Sequence, residues 1–130
     1  MNRALSILYV DDEPDIRDVA SIAFGLDGGV SVRTAASGRE ALDALADPGY
    51  RPDVVMLDVM MPQLDGPGTL TEMRKLPEHA ATPVIFITAR AQPHELAGFM
   101  ALGAIGVITK PFDPMMLPVE VRAMMVRSGQ

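Results

Sequence analysis

The sequence predicts an α/β domain of the (βα)₅ type, in which five parallel strands form one sheet and helices cover both of its faces. Three observations support this prediction: apolar runs alternate five times with helical patterns, most of these runs are continuously apolar, and turn residues separate them. Continuous apolar runs are typical of strands buried on both faces, as in a parallel sheet. Every strand then points the same way, with right-handed crossovers between them.

The first strand and the first helix follow from an apolar run and an apolar stripe. Residues 5–10 form the run Leu-Ser-Ile-Leu-Tyr-Val, which predicts the strand. A helix is predicted over residues 14–26, because Pro14 sits where a first-turn proline is tolerated and apolar residues then recur at helical spacing. That stripe consists of Ile16, Val19, Ala20, Ala23 and Phe24.

The next three elements are a strand, a helix and a strand, over residues 30–35, 37–47 and 54–57. Gly28 and Gly29 turn the chain into the second strand, whose alternating apolar and polar residues indicate a strand at the edge of the sheet. Ser37 and Glu40 form a capping box at the start of the second helix. The third strand is the continuous run Val-Val-Met-Leu.

The second half of the chain continues with a helix, a strand, a helix, a strand and a helix, over residues 66–75, 84–87, 92–102, 105–108 and 114–127. Asp113 and Pro114 open the last helix as a cap followed by a first-turn proline. Pro118, in the second turn of that helix, lacks a backbone N–H and is expected to bend it.

Length and composition limit the classes of function. The 130 residues fit one domain, 1–130, and the absence of cysteine excludes zinc–thiolate sites, thiol nucleophiles and disulfides and suits a cytoplasmic location. A net charge of −6 disfavours direct nucleic-acid binding, and the apolar run before Asp11 is too short for a signal peptide or a membrane span. His79 and His94 have no partner at metal-binding spacing, so both are predicted to lie on the surface.

Three carboxylates lie at the ends of two of the apolar runs. Asp11 and Asp12 directly follow the first strand, and Asp58 directly follows the third. In a parallel sheet these ends share the edge where ligands bind. Two carboxylates about 4 Å apart repel by about 4 kcal/mol at an effective dielectric of about 20, so a cation is needed to offset them. A set of oxygen ligands favours Mg²⁺ over zinc or copper.

Two further side chains are predicted at the same edge, and together they suit phosphoryl transfer. Thr88 follows the fourth strand and Lys110 follows the fifth. Asp58 would attack the phosphoryl group, while Asp11 and Asp12 would hold the Mg²⁺ that offsets the charge of donor and acceptor. Lys110 would offer a point charge and Thr88 a rotatable donor, so catalysis would be positioning and electrostatics.

With these residues placed, the chain strongly resembles the receiver domain of two-component response regulators, a CheY-like domain of the flavodoxin-like class with strand order 2-1-3-4-5. The resemblance spans almost the whole chain and rests on four spaced motifs. They are Val10-Asp11-Asp12-Glu13; Met56-Leu57-Asp58 with Met61-Pro62 and Asp65-Gly66 after it; Ile87-Thr88-Ala89; and Lys110-Pro111-Phe112.

The resemblance implies a role for each residue of the edge. Asp58 would accept a phosphoryl group from a histidine kinase or a histidine phosphotransfer protein, and would contact the Mg²⁺. Asp12 would be a direct ligand of Mg²⁺ and Asp11 an indirect one, with the Met60 carbonyl as a further ligand. Thr88 would be the switch hydroxyl. Lys110 would pair with the phosphoryl group, next to a cis bond between Lys110 and Pro111.

The resemblance also implies how the signal leaves the domain. The domain would catalyse only its own phosphorylation and dephosphorylation, and would bind a downstream protein through the face formed by helix four, strand five and helix five. The sequence does not name that protein, and a homodimer through the same face is a second use that the family allows. Met115, Met116 and Met125 are candidates for this face, because adaptable apolar side chains suit a protein partner.

The chain departs from the family pattern at three positions. Val107, three residues before Lys110, replaces the aromatic side chain that usually turns inward with the threonine. Either Thr88 and loop movements would carry the signal, or the conformational change would be smaller. Met60 and Arg90 occupy the two positions that influence the lifetime of the phosphoryl group. Met60 cannot orient a hydrolytic water and Arg90 could contact or shield the phosphoryl group, which predicts slow self-dephosphorylation.

Other readings remain open at this point. A phosphorylation-independent pseudo-receiver scaffold would lack some site residues, whereas all of them are present here. A Mg²⁺-dependent aspartyl-phosphate phosphatase shares the chemistry but would need a cap domain and a second aspartate two residues after Asp58. We expect a stand-alone single-domain regulator, while a piece of a longer regulator or hybrid kinase is the other reading.

Overall fold

The computed structural model describes residues 4–90 and 92–129. In this part of the chain five strands alternate with five α-helices, and all begin and end within two residues of the predicted bounds except the last helix. The elements are β1 (Leu5–Val10), α1 (Pro14–Gly25), β2 (Val30–Ala35), α2 (Gly38–Leu45), β3 (Val54–Asp58), α3 (Gly66–Met73), β4 (Val84–Thr88), α4 (Pro93–Ala101), β5 (Gly106–Thr109) and α5 (Leu117–Arg127).

The five strands form one parallel sheet in the order β2-β1-β3-β4-β5. This confirms the predicted order and the prediction that the alternating strand β2 lies at an edge. The register aligns the carboxyl ends of β1, β3, β4 and β5. Val10 pairs with Leu57, Asp58 pairs with Ile87 and Thr88 pairs with Thr109. The residues at the carboxyl ends of four neighbouring strands therefore meet along one edge of the sheet.

Each face of the sheet carries its own apolar cluster. Leu8, Val55 and Phe86 belong to the cluster that packs against α2, α3 and α4. Tyr9, Met56 and Ile85, each one position away along its strand, belong to the cluster that packs against α1 and α5. Consecutive residues of a strand point to opposite faces, so continuous apolar runs supply both clusters, as the doubly wound fold requires.

The last helix differs from the prediction. Residues Pro114–Met116 form a 3-10 turn, in which the Asp113 carboxylate accepts a hydrogen bond of 3.0 Å from the Met115 N–H, and α5 begins at Leu117. Pro118 therefore lies in the first turn of α5, where the missing N–H costs no helical bond. The predicted bend within one continuous helix was wrong.

His79 is buried, so its predicted surface position was wrong, whereas His94 is exposed as predicted. The 3-10 turn Pro77–His79 folds back against the end of α2. There Nε2 of His79 lies 3.1 Å from the Leu45 carbonyl oxygen, and Nδ1 lies 2.9 Å from Oγ1 of Thr82. The imidazole thus joins the end of α2 to the loop before β4, and no local sequence pattern marks such a contact.

No helix within residues 4–90 and 92–129 is both long enough and apolar enough to cross a bilayer.

Candidate functional site

The carboxylates of Asp11, Asp12 and Asp58 converge at the carboxyl edge of the sheet. One oxygen from each lies within 4.8 Å of the others. Asp11 follows β1 directly and Asp58 is the last residue of the neighbouring strand β3, so the strand register brings them together. Three carboxylate oxygens at this spacing are a donor set that fits a hard divalent cation such as Mg²⁺.

Asp11 is fully buried and held by donors on both of its carboxylate oxygens. Oδ1 accepts a hydrogen bond of 3.0 Å from the Glu13 N–H, while Oδ2 lies 3.0 Å from Nζ of Lys110 and accepts a hydrogen bond of 3.4 Å from the Tyr9 hydroxyl. The backbone carbonyl of Asp11 accepts a hydrogen bond of 2.8 Å from Nη1 of Arg17. This set of contacts fixes the orientation of the Asp11 carboxylate.

Lys110 places one ammonium group among three carboxylates. Its Nζ lies 3.0 Å from Asp11, 3.4 Å from Asp58 and 3.5 Å from Glu13. Burial disfavours the charged amine, but the contacts with Asp11, Asp58 and Glu13 outweigh it and raise the pKa of Lys110. The peptide bond between Lys110 and Pro111 is cis. The ammonium thus lies where a phosphoryl group on Asp58 would need a counter-charge.

Asp58 is almost completely buried. Burial, and then the nearby Asp11 carboxylate, raise the pKa of Asp58 to about 7, although Lys110 opposes this shift. The metal-free carboxyl group therefore holds a proton up to neutral pH. A divalent cation bound beside it would favour the carboxylate, which is the form that can act as a nucleophile.

Gly66, the first residue of α3, lies against the backbone of Asp58. A Cβ atom at this position would lie 2.6 Å from the Asp58 carbonyl oxygen, and the Gly66 N–H donates a 3.0 Å hydrogen bond to the Val59 carbonyl. Only glycine allows α3 to begin this close to β3. The loop that follows Asp58 is therefore tied to the strand end.

Thr88 ends β4, the strand next to Asp58, and is buried. Its hydroxyl accepts a 2.9 Å hydrogen bond from the Arg90 N–H, and its carbonyl accepts a 2.8 Å hydrogen bond from the Lys110 N–H. The hydroxyl and the ammonium predicted for this edge thus lie at adjacent strand ends. At the end of β3, the side chain of Met60, two residues beyond Asp58, is exposed.

The structure also defines the surroundings of Arg90 and Val107, two of the three positions at which this chain departs from the expected pattern. Nη1 of Arg90 lies 3.6 Å from Oε2 of Glu95 in α4, and the Arg90 side chain is largely exposed. Val107 is half-buried and, like Phe99 of α4, packs against the cluster that contains Phe86. An arginine–glutamate pair therefore links the loop after Thr88 to α4.

Sequence reasoning assigned no role to Tyr9 or Arg17, and gave none to Glu13 beyond its place in a motif. The contact of Arg17, in the first turns of α1, with the Asp11 carbonyl joins residues six apart across the start of the helix and has no sequence signature. Tyr9 did have a signal: residues two apart in a strand point to the same face, so the Tyr9 hydroxyl and Asp11 share one side of the sheet.

Comparisons with known proteins agree with this fold. The chain matches the family model of the response regulator receiver domain over residues 7–122. It is 42% identical to the regulatory protein AtoC of Escherichia coli over 107 residues, which are 82% of this chain and 22% of AtoC. It is 34% identical to the response regulator SaeR of Staphylococcus aureus over 121 residues, which are 93% of this chain and 50% of SaeR.

A solved structure of similar shape is that of the chemotaxis protein CheY4 of Vibrio cholerae, with a TM-score of 0.83, 33% identity, and coverage of 93% of this chain and 98% of that one. The chain spans half or less of the length of the two relatives AtoC and SaeR. What those longer proteins do as a whole is therefore a separate question from the chemistry of this domain.

Proposed function

This chain belongs to the response regulator receiver domain family, and from that premise we propose that it is a signalling switch that accepts a phosphoryl group from a phosphohistidine on Asp58, with Mg²⁺. The observation that carries the proposal is the placement of Asp58. Its carboxylate lies within 4.8 Å of those of Asp11 and Asp12 and 3.4 Å from Nζ of Lys110. A buried nucleophile beside a metal-ligand set and a fixed cation suits in-line phosphoryl transfer.

Each side chain has one task in the transfer. An oxygen of Asp58 attacks the phosphorus, the bond from phosphorus to the donor imidazole breaks, and the leaving nitrogen takes up a proton. Asp11, Asp12, Asp58 and the Met60 carbonyl would hold Mg²⁺, which neutralises charge shared by donor and acceptor. Lys110 pairs with a phosphoryl oxygen, and the Thr88 hydroxyl donates to another. No small molecule is turned over, because the protein itself is the acceptor.

The phosphoryl donor in this proposal is a histidine kinase or a histidine phosphotransfer protein. An open, mainly apolar cleft of about 310 Å³ lies beside Lys110 and is bounded by Glu13 and Ile16 on one side and by Pro111 and Phe112 on the other. A donor helix that presents its phosphohistidine at Asp58 would cover this cleft. We place the exchange in the cytoplasm, where such donors act.

The output face in this proposal is formed by α4, β5 and α5, and its occupant is a downstream protein or a second copy of the chain. A cleft of about 450 Å³ between β5 and α5 is lined by residues that include Val107 and Met124. Met115 and Met116, in the turn before α5, are exposed, whereas Met125 is partly buried against the core. The negative charge of the chain disfavours nucleic acid as the partner.

The proposal is tested by intact mass after incubation with acetyl phosphate. We expect one phosphoryl adduct when Mg²⁺ is present and none when a chelator removes it, because the metal offsets the repulsion between an anionic donor and an anionic acceptor. A variant at an exposed acidic residue remote from the site, Glu72→Gln, serves as the control and should be modified like the wild type. Absence of an adduct with several small donors would favour a scaffold that binds partners without phosphate.

The phosphoryl group on Asp58 is expected to be lost slowly. Met60, two residues after Asp58, has an exposed thioether side chain, which cannot hold a water molecule for in-line attack. Decay of the adduct after removal of the donor should therefore take minutes or longer, and Met60→Gln should shorten the lifetime several-fold. Met116→Gln, also exposed but on the output face, is the matched control and should have no effect. A wild-type half-life of seconds would contradict this expectation.

A further inference from the structure

We propose that Tyr9 is a positioning residue of the metal site, whose hydroxyl holds the Asp11 carboxylate in place for Mg²⁺. The inference rests on the proposed function, because it assigns a second role within the same site. Tyr9 lies on β1 with its ring fully buried in the cluster that packs against α1 and α5. Its hydroxyl donates to Oδ2 of Asp11 at 3.4 Å, and Asp11 is itself fully buried.

The energetics of the buried hydroxyl support this role. A phenol hydroxyl that is removed from water without a partner destabilises the fold, so a buried tyrosine needs a hydrogen bond to make the protein more stable than phenylalanine would at the same position. Here the partner is a carboxylate of the site. The ring is held by packing and has few rotatable bonds, so the hydroxyl is a rigid donor for Asp11.

A second donor, Lys110, contacts the same oxygen of Asp11. Nζ of Lys110 lies 3.0 Å from Oδ2 of Asp11, but it is shared with Asp58 and Glu13. In the proposed transfer Lys110 turns toward the phosphoryl group. Tyr9 is then the donor that stays on Oδ2, while the Glu13 N–H stays on Oδ1 at 3.0 Å. The carboxylate keeps its orientation toward the metal when its charged partner leaves.

The consequence is a defined loss in the variant Tyr9→Phe. The change keeps the ring and its packing but removes the donor, so Asp11 gains freedom to rotate away from the metal. Partners that orient metal ligands typically change metal affinity by about 10–100-fold when they are removed. We expect the dissociation constant for Mg²⁺ to rise by about 10-fold, at the lower end of this range, because Lys110 and the Glu13 N–H remain.

The chain offers a matched control and its own optical probe. It contains no tryptophan and two tyrosines, Tyr9 and Tyr50. Within the described residues the Tyr50 hydroxyl is buried with no hydrogen-bond partner, and its ring faces Arg33 on the other side of the sheet. Tyr50→Phe should therefore leave Mg²⁺ binding unchanged. In that variant all tyrosine emission comes from Tyr9, which should respond to Mg²⁺ if its hydroxyl contacts the site.

The experiment is calorimetric titration of MgCl₂ alone into the wild type, Tyr9→Phe and Tyr50→Phe, with a fluorescence titration of Tyr50→Phe. Support for the inference is a dissociation constant about 10-fold higher in Tyr9→Phe alone, a Tyr9 signal that saturates with the same constant as the calorimetric binding, and a phosphorylation rate that excess Mg²⁺ restores. Damage to the fold would instead lower that rate even at saturating Mg²⁺, which would overturn a positioning role.

The outcomes separate this inference from the proposed function. Equal Mg²⁺ affinity in Tyr9→Phe and the wild type overturns the inference, whether or not the wild type takes up a phosphoryl group. Weaker Mg²⁺ binding by Tyr9→Phe in a protein that takes up no phosphoryl group overturns the proposed function and leaves the positioning role standing. A wild type that binds no Mg²⁺ overturns both.

Discussion

Replacing Asp58 with asparagine is expected to abolish phosphoryl uptake and, at neutral pH, to stabilise the metal-free fold. The first effect follows because the amide has no nucleophilic carboxylate oxygen. The second follows because Asp58 is buried beside Asp11, and bringing two like charges together without a metal is costly. A residue kept for its chemistry at the expense of stability should show both effects at once.

The raised pKa of Asp58 predicts how the stabilisation by asparagine depends on pH. The pKa of Asp58 is raised from 3.8 to about 7, so between these pH values the folded state holds a proton that the unfolded state releases. Stability from this group is therefore fully present below about pH 4 and is lost as the pH rises through 7. At about 1.4 kcal/mol per pKa unit, the rise from 3.8 to about 7, which already includes the opposing effect of Lys110, corresponds to a loss on the order of 4 kcal/mol.

Urea unfolding of the metal-free wild type and Asp58→Asn from pH 4 to pH 8 measures this directly. The difference in unfolding free energy should grow in favour of asparagine as the pH rises. Addition of Mg²⁺ at pH 7.5 should stabilise the wild type more than the variant, because the metal binds the folded state through Asp58. Parallel curves for the two proteins, or an adduct on Asp58→Asn, would contradict the assignment of Asp58.

Lys110→Met is expected to be the most destabilising single change at this edge of the sheet. The lysine side chain is 16% exposed and faces two buried carboxylates at 3.0 Å and 3.4 Å. Removing one partner of a buried ion pair typically costs about 3–5 kcal/mol, because a buried charge is left without compensation. Methionine keeps the aliphatic packing, so the loss reports the charge. Loss of a donor aimed at the transferring group should also slow phosphoryl uptake about 100-fold or more.

Two controls make this expectation specific. Lys75→Met removes an ion pair with Glu72 at 2.8 Å, in which the lysine side chain is 67% exposed, and should change stability by less than about 1 kcal/mol. The double variant Lys110→Met with Asp58→Asn removes one of the buried negative charges together with the positive one, and should recover part of the lost stability. If the double variant is no more stable than Lys110→Met alone in urea unfolding, Asp58 is not the carboxylate that Lys110 compensates.

Most of the fold was predictable because its signals are local. The predicted strand bounds for residues 5–10 and 30–35 match β1 and β2, since an apolar run and an alternating run each act within a few residues. The N-cap of α2 was also predictable, as the Ser37 hydroxyl accepts a 3.0 Å hydrogen bond from the Glu40 N–H. The last helix was mispredicted because proline signals at 114 and 118 are each compatible with a helix start.

Some residues of the candidate site were likewise predictable from the sequence and others were not. Asp11, Asp12 and Asp58 stood out because charges at the ends of apolar strands are unusual, and parallel pairing was enough to bring them to one edge. The roles assigned to them and to Met60 still await the experiments above. Tyr9 was overlooked because a tyrosine within an apolar run is typical of a buried core residue. Its hydroxyl has a partner only in the folded chain, where it donates a hydrogen bond to Asp11.

The sequence alone thus determined the succession of strands and helices along the chain, the edge at which the charged residues gather and the kind of ion they suit. These properties depend on periodicity and on residue chemistry. Only the tertiary structure decided how one ammonium is shared among Asp11, Glu13 and Asp58, and why His79 is buried against Leu45, 34 residues earlier in the chain. Such contacts depend on strand register and on loops that fold back, and neither leaves a local pattern in the sequence.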